Sequence, residues 1–268
     1  MLGKRVVSAA IGIIILVVVL TSNKIFINIG VAVISVLALH ELFCAAGNMQ
    51  NTSLVSLAFI SSVIMAFSNF MEQKFIMPMI YGYIILLFVI ILIKHNTIKL
   101  SHIAITCFST VYISYFFSHI VFTRYLPEGN ILIWMIFLGA WTTDTFAFFV
   151  GTSMGKRKLW PEISPKKTVE GALGGIIGCG LSFLLFGYLI HYFGNHNVHY
   201  GSLFVLGLAC SIVSQLGDLS ASIIKRQYNI KDFGRIMPGH GGVLDRFDSI
   251  VFVAPLVYYF TMNFSIIS

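Results

Sequence analysis

The segment FIMPMIYGYIILLFVIILI, residues 75–93, carries no charged side chain, and its side-chain oxygens are those of two tyrosines. A run of this length and composition is typical of a bilayer-crossing helix, because a helix satisfies its own backbone hydrogen bonds in lipid. The rest of the chain repeats the pattern. Of its 268 residues, 57% are apolar and 10% are charged, with a mean hydropathy of +0.91. A soluble domain has about 25% charged residues, so we expect lipid to surround most of this chain.

Nine runs are long and apolar enough to predict membrane-spanning helices. They cover residues 6–20, 25–39, 54–70, 75–93, 103–122, 131–151, 171–193, 200–224 and 250–267. The first run follows Lys4 and Arg5, as a secretory signal would, but no small-residue cleavage site follows and we expect it to be retained. The prediction is an all-α integral membrane protein with about nine transmembrane helices. We divide it into N-terminal helices (1–50), middle helices (51–130) and a C-terminal catalytic region (131–268).

The charges between the spans predict the orientation of the chain. With nine spans, the loops on one side hold 14 of the 17 Lys and Arg residues, and the other side holds Lys24, Lys74 and Arg124. The positive-inside rule places the richer side in the cytosol. We therefore predict a multi-pass protein of the cell inner membrane, with a polar active-site cavity opening to the cytosol. This orientation signal explains the net charge of +7, and no nucleic-acid-binding motif accompanies it, so we expect no nucleic-acid partner.

Polar residues concentrate in the two longest loops on the predicted cytosolic side, residues 152–170 and 225–249. If the span 200–224 stays helical to Arg226, Asp218, Ser222 and Lys225 lie on one stripe of the helix. A carboxylate at the end of an apolar span is costly unless it meets a cation or water, so Asp218 is a functional candidate.

The glycine-rich segment MPGHGG, residues 237–242, follows that helix. Such a segment can direct several N–H groups at phosphate oxygens, or it can serve only as a turn. Asp245 and Asp248, three residues apart, would share one face at the start of the last span. Mg²⁺ is usually held by one or two carboxylates together with substrate phosphates and water. So many charged groups within residues 218–248 favour a functional site over a series of turns.

The same region contains a pattern of fixed spacing. It consists of SIIKR at 222–226, Lys231, Asp232, Gly234, Pro238, HGG at 240–242 and DRFD at 245–248. This pattern resembles the signature of the phosphatidate cytidylyltransferase (CDP-diacylglycerol synthase) family. Met237 stands where the pattern usually has Leu, Ile or Phe, an apolar exchange. QLGD at 215–218 and SPKKTVEG at 164–171 also resemble family segments, whereas the first 130 residues match only in being hydrophobic.

The resemblance implies a nucleotidyltransferase in which a lipid phosphate attacks the α-phosphorus of CTP and pyrophosphate leaves. Because the attacking oxygen is already anionic, this chemistry needs charge neutralisation and in-line positioning more than a strong base. The implied partners are CTP, phosphatidic acid and membrane lipid, and the implied cofactor is Mg²⁺, alone or with a second cation. The resemblance also suggests a homodimer.

The implied roles fall on specific residues of the two loops and of the helix stripe that precedes the second loop. Asp218 and Asp245 are expected to bind Mg²⁺, with Asp248 as a further ligand or as their support. The residues expected to be catalytic are Asp218, Lys225, Asp245 and Asp248. The residues expected to contact substrate are Ser164, Lys166, Lys167, Thr168, Ser222, Arg226, Lys231, His240, Gly241, Gly242 and Arg246. For Lys166 and Lys167 the alternative is a role in topology alone. Asp144, inside an apolar run, needs a partner, and Glu41 at the end of the second span is ambiguous, with an interfacial position expected.

Two other functions remain open at this point. One is a cytidylyltransferase for another lipid phosphate, such as an ether lipid, which would share the same polar chemistry. The other is a polytopic ion or solute transporter, since nine spans with buried carboxylates also suit an ion path. Transporters keep their ionisable residues near the middle of the membrane, whereas here they cluster at the predicted cytosolic ends. This distribution favours the enzyme.

Overall fold

The structure is a computed structural model that describes residues 2–237 and 241–267. Within these residues the chain is mostly helical. The α-helices are α1 (Leu2–Thr21), α2 (Lys24–Ala45), α3 (Thr52–Ala66), α4 (Ile76–Ile93), α5 (Leu100–Thr110), α6 (Phe116–Tyr125), α7 (Gly129–Met154), α8 (Val169–Gly194), α9 (Tyr200–Gln227) and α10 (Leu244–Asn263). Two short strands, β1 (Lys158–Trp160) and β2 (Ser164–Thr168), pair antiparallel between α7 and α8.

A π-helical turn, Val111–Tyr115, joins α5 to α6, so that these two helices run as one from Leu100 to Tyr125. The described part of the chain therefore contains nine continuous helices, which confirms the predicted number. Six of them are long and apolar enough to cross a membrane: α2, α4, the joined α5–α6, α7, α8 and α9. Repeated apolar helices of this length identify a multi-pass membrane protein. The hairpin is the departure from the all-α prediction.

The chain divides into two compact units, and the first comprises Met1–Tyr125 and Gln227–Phe247. Its core lies where α2, α3 and the joined α5–α6 helix pack together, and Phe43, Leu54 and Phe117 are fully buried there. Most of α4 is exposed, although its sequence is apolar on all sides. An apolar helix with an exposed surface is what contact with lipid requires.

The second unit comprises Leu126–Arg226 and Asp248–Ser268. In it α7 and α8 approach closely because α8 presents glycines to α7. A Cβ atom added at Gly174 would lie 2.6 Å from the Cβ of Val150. Farther along α8, a Cβ atom added at Gly207 of α9 would lie 3.0 Å from the Cα of Gly180. Small residues commonly bring helices together in lipid, and here they hold α8 between its two neighbours.

Candidate active site

The β1–β2 hairpin places the lysines of the predicted loop 152–170 at defined positions. The carboxylate of Glu170 closes its base by accepting the N–H groups of Lys156 at 3.0 Å and Arg157 at 3.1 Å. Thr168 Oγ1 accepts the N–H of Gly171 at 3.1 Å and so caps the N-terminus of α8. The predicted substrate contact of Thr168 stays a prediction, because the structure shows this hydroxyl in its capping role.

Lys167 of β2 forms an ion pair with Asp218 of α9, with 2.5 Å between Nζ and Oδ2. The two side chains are 27% and 30% exposed, so the pair is partly open to the surroundings. Helix α9 continues to Gln227, which confirms the predicted stripe of Asp218, Ser222 and Lys225. Two sequence segments that were identified separately therefore meet at Asp218.

Asp248, near the start of α10, is 9% exposed. Its Oδ1 accepts the backbone N–H of Ser249 at 2.7 Å. The charged groups that act on its carboxylate are Asp218, Lys225 and Asp144. We call Asp144, Asp218 and Asp248 the carboxylate cluster. Asp144, which the sequence left in need of a partner, thus lies within the electrostatic reach of Asp248.

A glycine allows α10 to approach α9 at this cluster. A Cβ atom added at Gly217 would lie 2.7 Å from the carbonyl oxygen of Asp248 and 2.9 Å from the ring of Phe252. Neither neighbour is the end of a flexible chain, so any side chain at residue 217 would push the two helices apart. The residue that precedes Asp218 therefore contributes to the spacing between Asp218 and Asp248.

The donor set of the cluster suits a divalent cation only in part. Among the residues that the structure describes, no three Asp, Glu, His or Cys side chains stand close enough to hold a metal ion by themselves. Mg²⁺, however, usually takes one or two protein carboxylates and completes its shell with phosphate oxygens and water. Asp218 and Asp248 meet that requirement, and Lys167 and Lys225 place positive charge beside them.

The segment between α9 and α10, residues 228–243, is called the signature loop below. Asp245 organises it, because its Oδ2 accepts the N–H groups of Phe233 at 2.8 Å and Gly242 at 2.9 Å. Gly241 has a φ of +86°, a conformation that favours glycine. Since Gly242 already donates to a carboxylate, the phosphate contacts predicted for Gly241 and Gly242 stay predictions. His240 lies outside the described residues.

Glu41 was missed by the sequence reasoning. It lies in the last turn of α2, is 2% exposed, and accepts the N–H groups of Val243 and Leu244 at 2.8 Å each. An interfacial position was expected for this side chain. The protein instead buries it. Glu41, like Asp218, is a carboxylate near the end of a predicted apolar span, and its need for a partner marks it as a functional candidate in the same way.

The remaining predicted site residues differ in exposure. Ser164, Ser222 and Lys225 are partly buried, and four cations are exposed: Lys166, Arg226, Lys231 and Arg246. Their positions leave these cations accessible to an anionic ligand. Their substrate contacts, and the Mg²⁺ ligation predicted for Asp218, Asp245 and Asp248, stay predictions.

A multi-pass membrane protein that brings carboxylates and lysines together has the features of an enzyme acting on phosphate groups. The chain matches the Cytidylyltransferase family over residues 3–264, and it belongs to that family.

The curated relatives carry a more specific name. The phosphatidate cytidylyltransferase of Bacillus subtilis is 40% identical over 187 residues, which is 69% of this chain and 68% of the relative. The proteins of the same name from Staphylococcus saprophyticus and Staphylococcus haemolyticus are 43% and 42% identical over 165 residues, which is 62% of this chain and 61% of each relative. The resemblance inferred from the signature is confirmed, and the chain is a nucleotidyltransferase enzyme.

Proposed function

We propose that this chain transfers the cytidylyl group of CTP to phosphatidic acid and forms CDP-diacylglycerol and pyrophosphate. The names of its relatives support the substrates. The observation that carries the proposal is the ion pair between Lys167 and Asp218 beside the buried Asp248. A triphosphate needs cationic groups for its oxygens and carboxylates for its counter-cation, and this arrangement offers both.

The reaction follows from the charges of its reactants. An anionic oxygen of the lipid phosphate attacks the α-phosphorus of CTP, and a new P–O bond forms. The bond between the α-phosphorus and the oxygen bridging to the β-phosphate breaks, so that its electron pair leaves with pyrophosphate. No side chain has to remove a proton from the nucleophile. The protein must instead bring two anions together in line, and Lys167 and Lys225 offset their repulsion.

Asp218 and Asp248 are the residues that would hold Mg²⁺ in this proposal. The bound cation would neutralise phosphate charge and make the α-phosphorus easier to attack. An arriving phosphate competes with Asp218 for the ammonium group of Lys167, and Asp218 then becomes available as a ligand. Asp245, whose Oδ2 accepts two N–H groups of the signature loop, remains a predicted further ligand.

The proposal includes an orientation and a location. The segregation of 14 of the 17 Lys and Arg residues to one side supports a cytosolic position for the carboxylate cluster, the side on which CTP is made. Bacterial relatives and the apolar helices support the inner, cytoplasmic membrane. The homodimer that the family resemblance suggests stays a prediction.

A panel of lipid phosphates tests the choice of substrate. Purified protein in nanodiscs is supplied with CTP and Mg²⁺ and with one of phosphatidic acid, an archaeal-type ether-lipid phosphate or a polyprenyl phosphate. We expect pyrophosphate release with phosphatidic acid, at a kcat/KM at least about tenfold above that for the others, since one well-placed contact is worth a factor of this size. A higher value for the ether-lipid or polyprenyl phosphate would establish the alternative substrate.

A further inference from the structure

Glu41 occupies a position that its sequence surroundings do not explain. It stands in an apolar helix about 200 residues before the signature loop, yet its carboxylate is buried against the start of α10. Its two oxygens accept one N–H group each, from the successive residues Val243 and Leu244. These N–H groups are at a helix N-terminus, where the first turn lacks internal partners and the helix dipole favours a negative charge. The pairing is therefore charge-assisted at both oxygens.

Two glycines of the signature loop approach this carboxylate so closely that no side chain would fit between them and it. A Cβ atom added at Gly234 would lie 2.7 Å from the Cδ of Glu41, and one added at Gly242 would lie 2.6 Å from it. The carboxyl group is held by two hydrogen bonds and cannot move aside at little cost. Glycine at these two positions therefore has a steric reason that does not involve phosphate.

Asp245 supplies a second carboxylate to the same turn. It accepts N–H groups from Phe233 and Gly242, while Glu41 accepts those of the next two residues. Three successive N–H groups, from Gly242 to Leu244, are thus fixed by two carboxylates. Glu41 thus fixes the two residues that directly precede Asp245 and Arg246. All of these residues belong to the first compact unit.

We infer that Glu41 is a positioning residue for cytidylyl transfer, which fixes the Gly242–Leu244 turn and thereby the placement of the Asp245 and Arg246 side chains. The inference rests on the proposed function. It gives the N-terminal region, in which the sequence analysis identified no family motif, a defined part in the reaction. Glu41 itself touches no reacting atom in this account.

The test compares Glu41→Gln and Glu41→Asp with Asn28→Ala. Asn28 is also buried in α2 and donates to the carbonyl of Ala66 at 2.8 Å, far in sequence from the signature loop. Its removal destabilises the same unit without touching the turn. We expect Glu41→Gln to lower kcat, per folded molecule, by about 10- to 100-fold, the range that small misplacements of reacting groups produce. Glu41→Asp, which keeps the charge, should lie between Glu41→Gln and wild type, and Asn28→Ala should keep a normal kcat.

Hydrogen exchange supplies a readout that does not depend on activity. In Glu41→Gln the amides of the segment 241–247 should exchange faster than in wild type, and in Asn28→Ala they should not. Unchanged exchange in Glu41→Gln, or an equal loss of kcat in Asn28→Ala, would overturn the inference. An inactive wild-type protein would instead overturn the proposed function, so the two failures are distinguishable.

Discussion

Asp248→Asn is expected to lower kcat by about 100-fold or more while leaving the thermal stability of the protein at or above that of the wild type. The loss of rate follows because Asn cannot supply the negative charge that a cation needs, and losing one electrostatic contact to a transition state costs this much. The melting temperature should not fall, because Asp248 is buried and the charges of Asp218 and Asp144 repel its carboxylate. Removing one of several like charges relieves repulsion.

A structural role for Asp248 would give a different combination of results. A carboxylate that stabilised the fold would lower the melting temperature when neutralised, and activity would fall only as far as the folded fraction fell. The measurement is kcat together with the melting temperature of purified variants in one detergent. Glu162→Gln is a matched control, since it neutralises an exposed carboxylate in the turn of the hairpin. A fall in stability together with a normal kcat per folded molecule would remove Asp248 from the site.

Removing divalent cations is expected to abolish turnover. EDTA in excess over Mg²⁺ should lower the rate by at least about 100-fold, because a metal ion at a phosphoryl centre contributes several kcal/mol of charge stabilisation. Added Mg²⁺ should restore the rate, since the carboxylate cluster is built from the chain and remains in place. The melting temperature without substrate should change little, because Asp218 already has Lys167 as a partner.

Two controls separate the cation from other effects of the chelator. Lys74→Ala, which changes an exposed ion pair with Glu72, should respond to EDTA as the wild type does. Asp218→Asn and Asp248→Asn should require more Mg²⁺ for half-maximal activity than the wild type. Turnover that persists in EDTA would rule out the proposed ligands.

The apolar runs predicted the helices well, because lipid forces long uncharged segments to satisfy their own backbone. The end of α2 was placed too early, at residue 39 instead of Ala45. A charged residue, Glu41, interrupted the apolar pattern there. The helix continues past it, and its carboxylate is stabilised by hydrogen bonds from Val243 and Leu244, which no local pattern could reveal.

The candidate site was predictable as a set of residues but not as an arrangement. Asp218 and Lys167 were each identified, one from its cost in an apolar helix and the other from a family segment. Their ion pair depends on the hairpin, whose short strands lack the alternation of apolar and polar residues that identifies a strand. Gly242 was expected to bind phosphate. In the structure its N–H donates instead to Asp245, a carboxylate of the same chain.

The most direct test of cytidylyl transfer follows the fate of the phosphorus atoms of CTP. Purified protein is incubated with phosphatidic acid, Mg²⁺ and CTP labelled either at the α- or at the γ-phosphorus, and the lipid phase is extracted and counted. The account predicts that the α-label enters the lipid phase as CDP-diacylglycerol while the γ-label appears in water as pyrophosphate. Recovery of the γ-label in the lipid, or of neither label there, would contradict it.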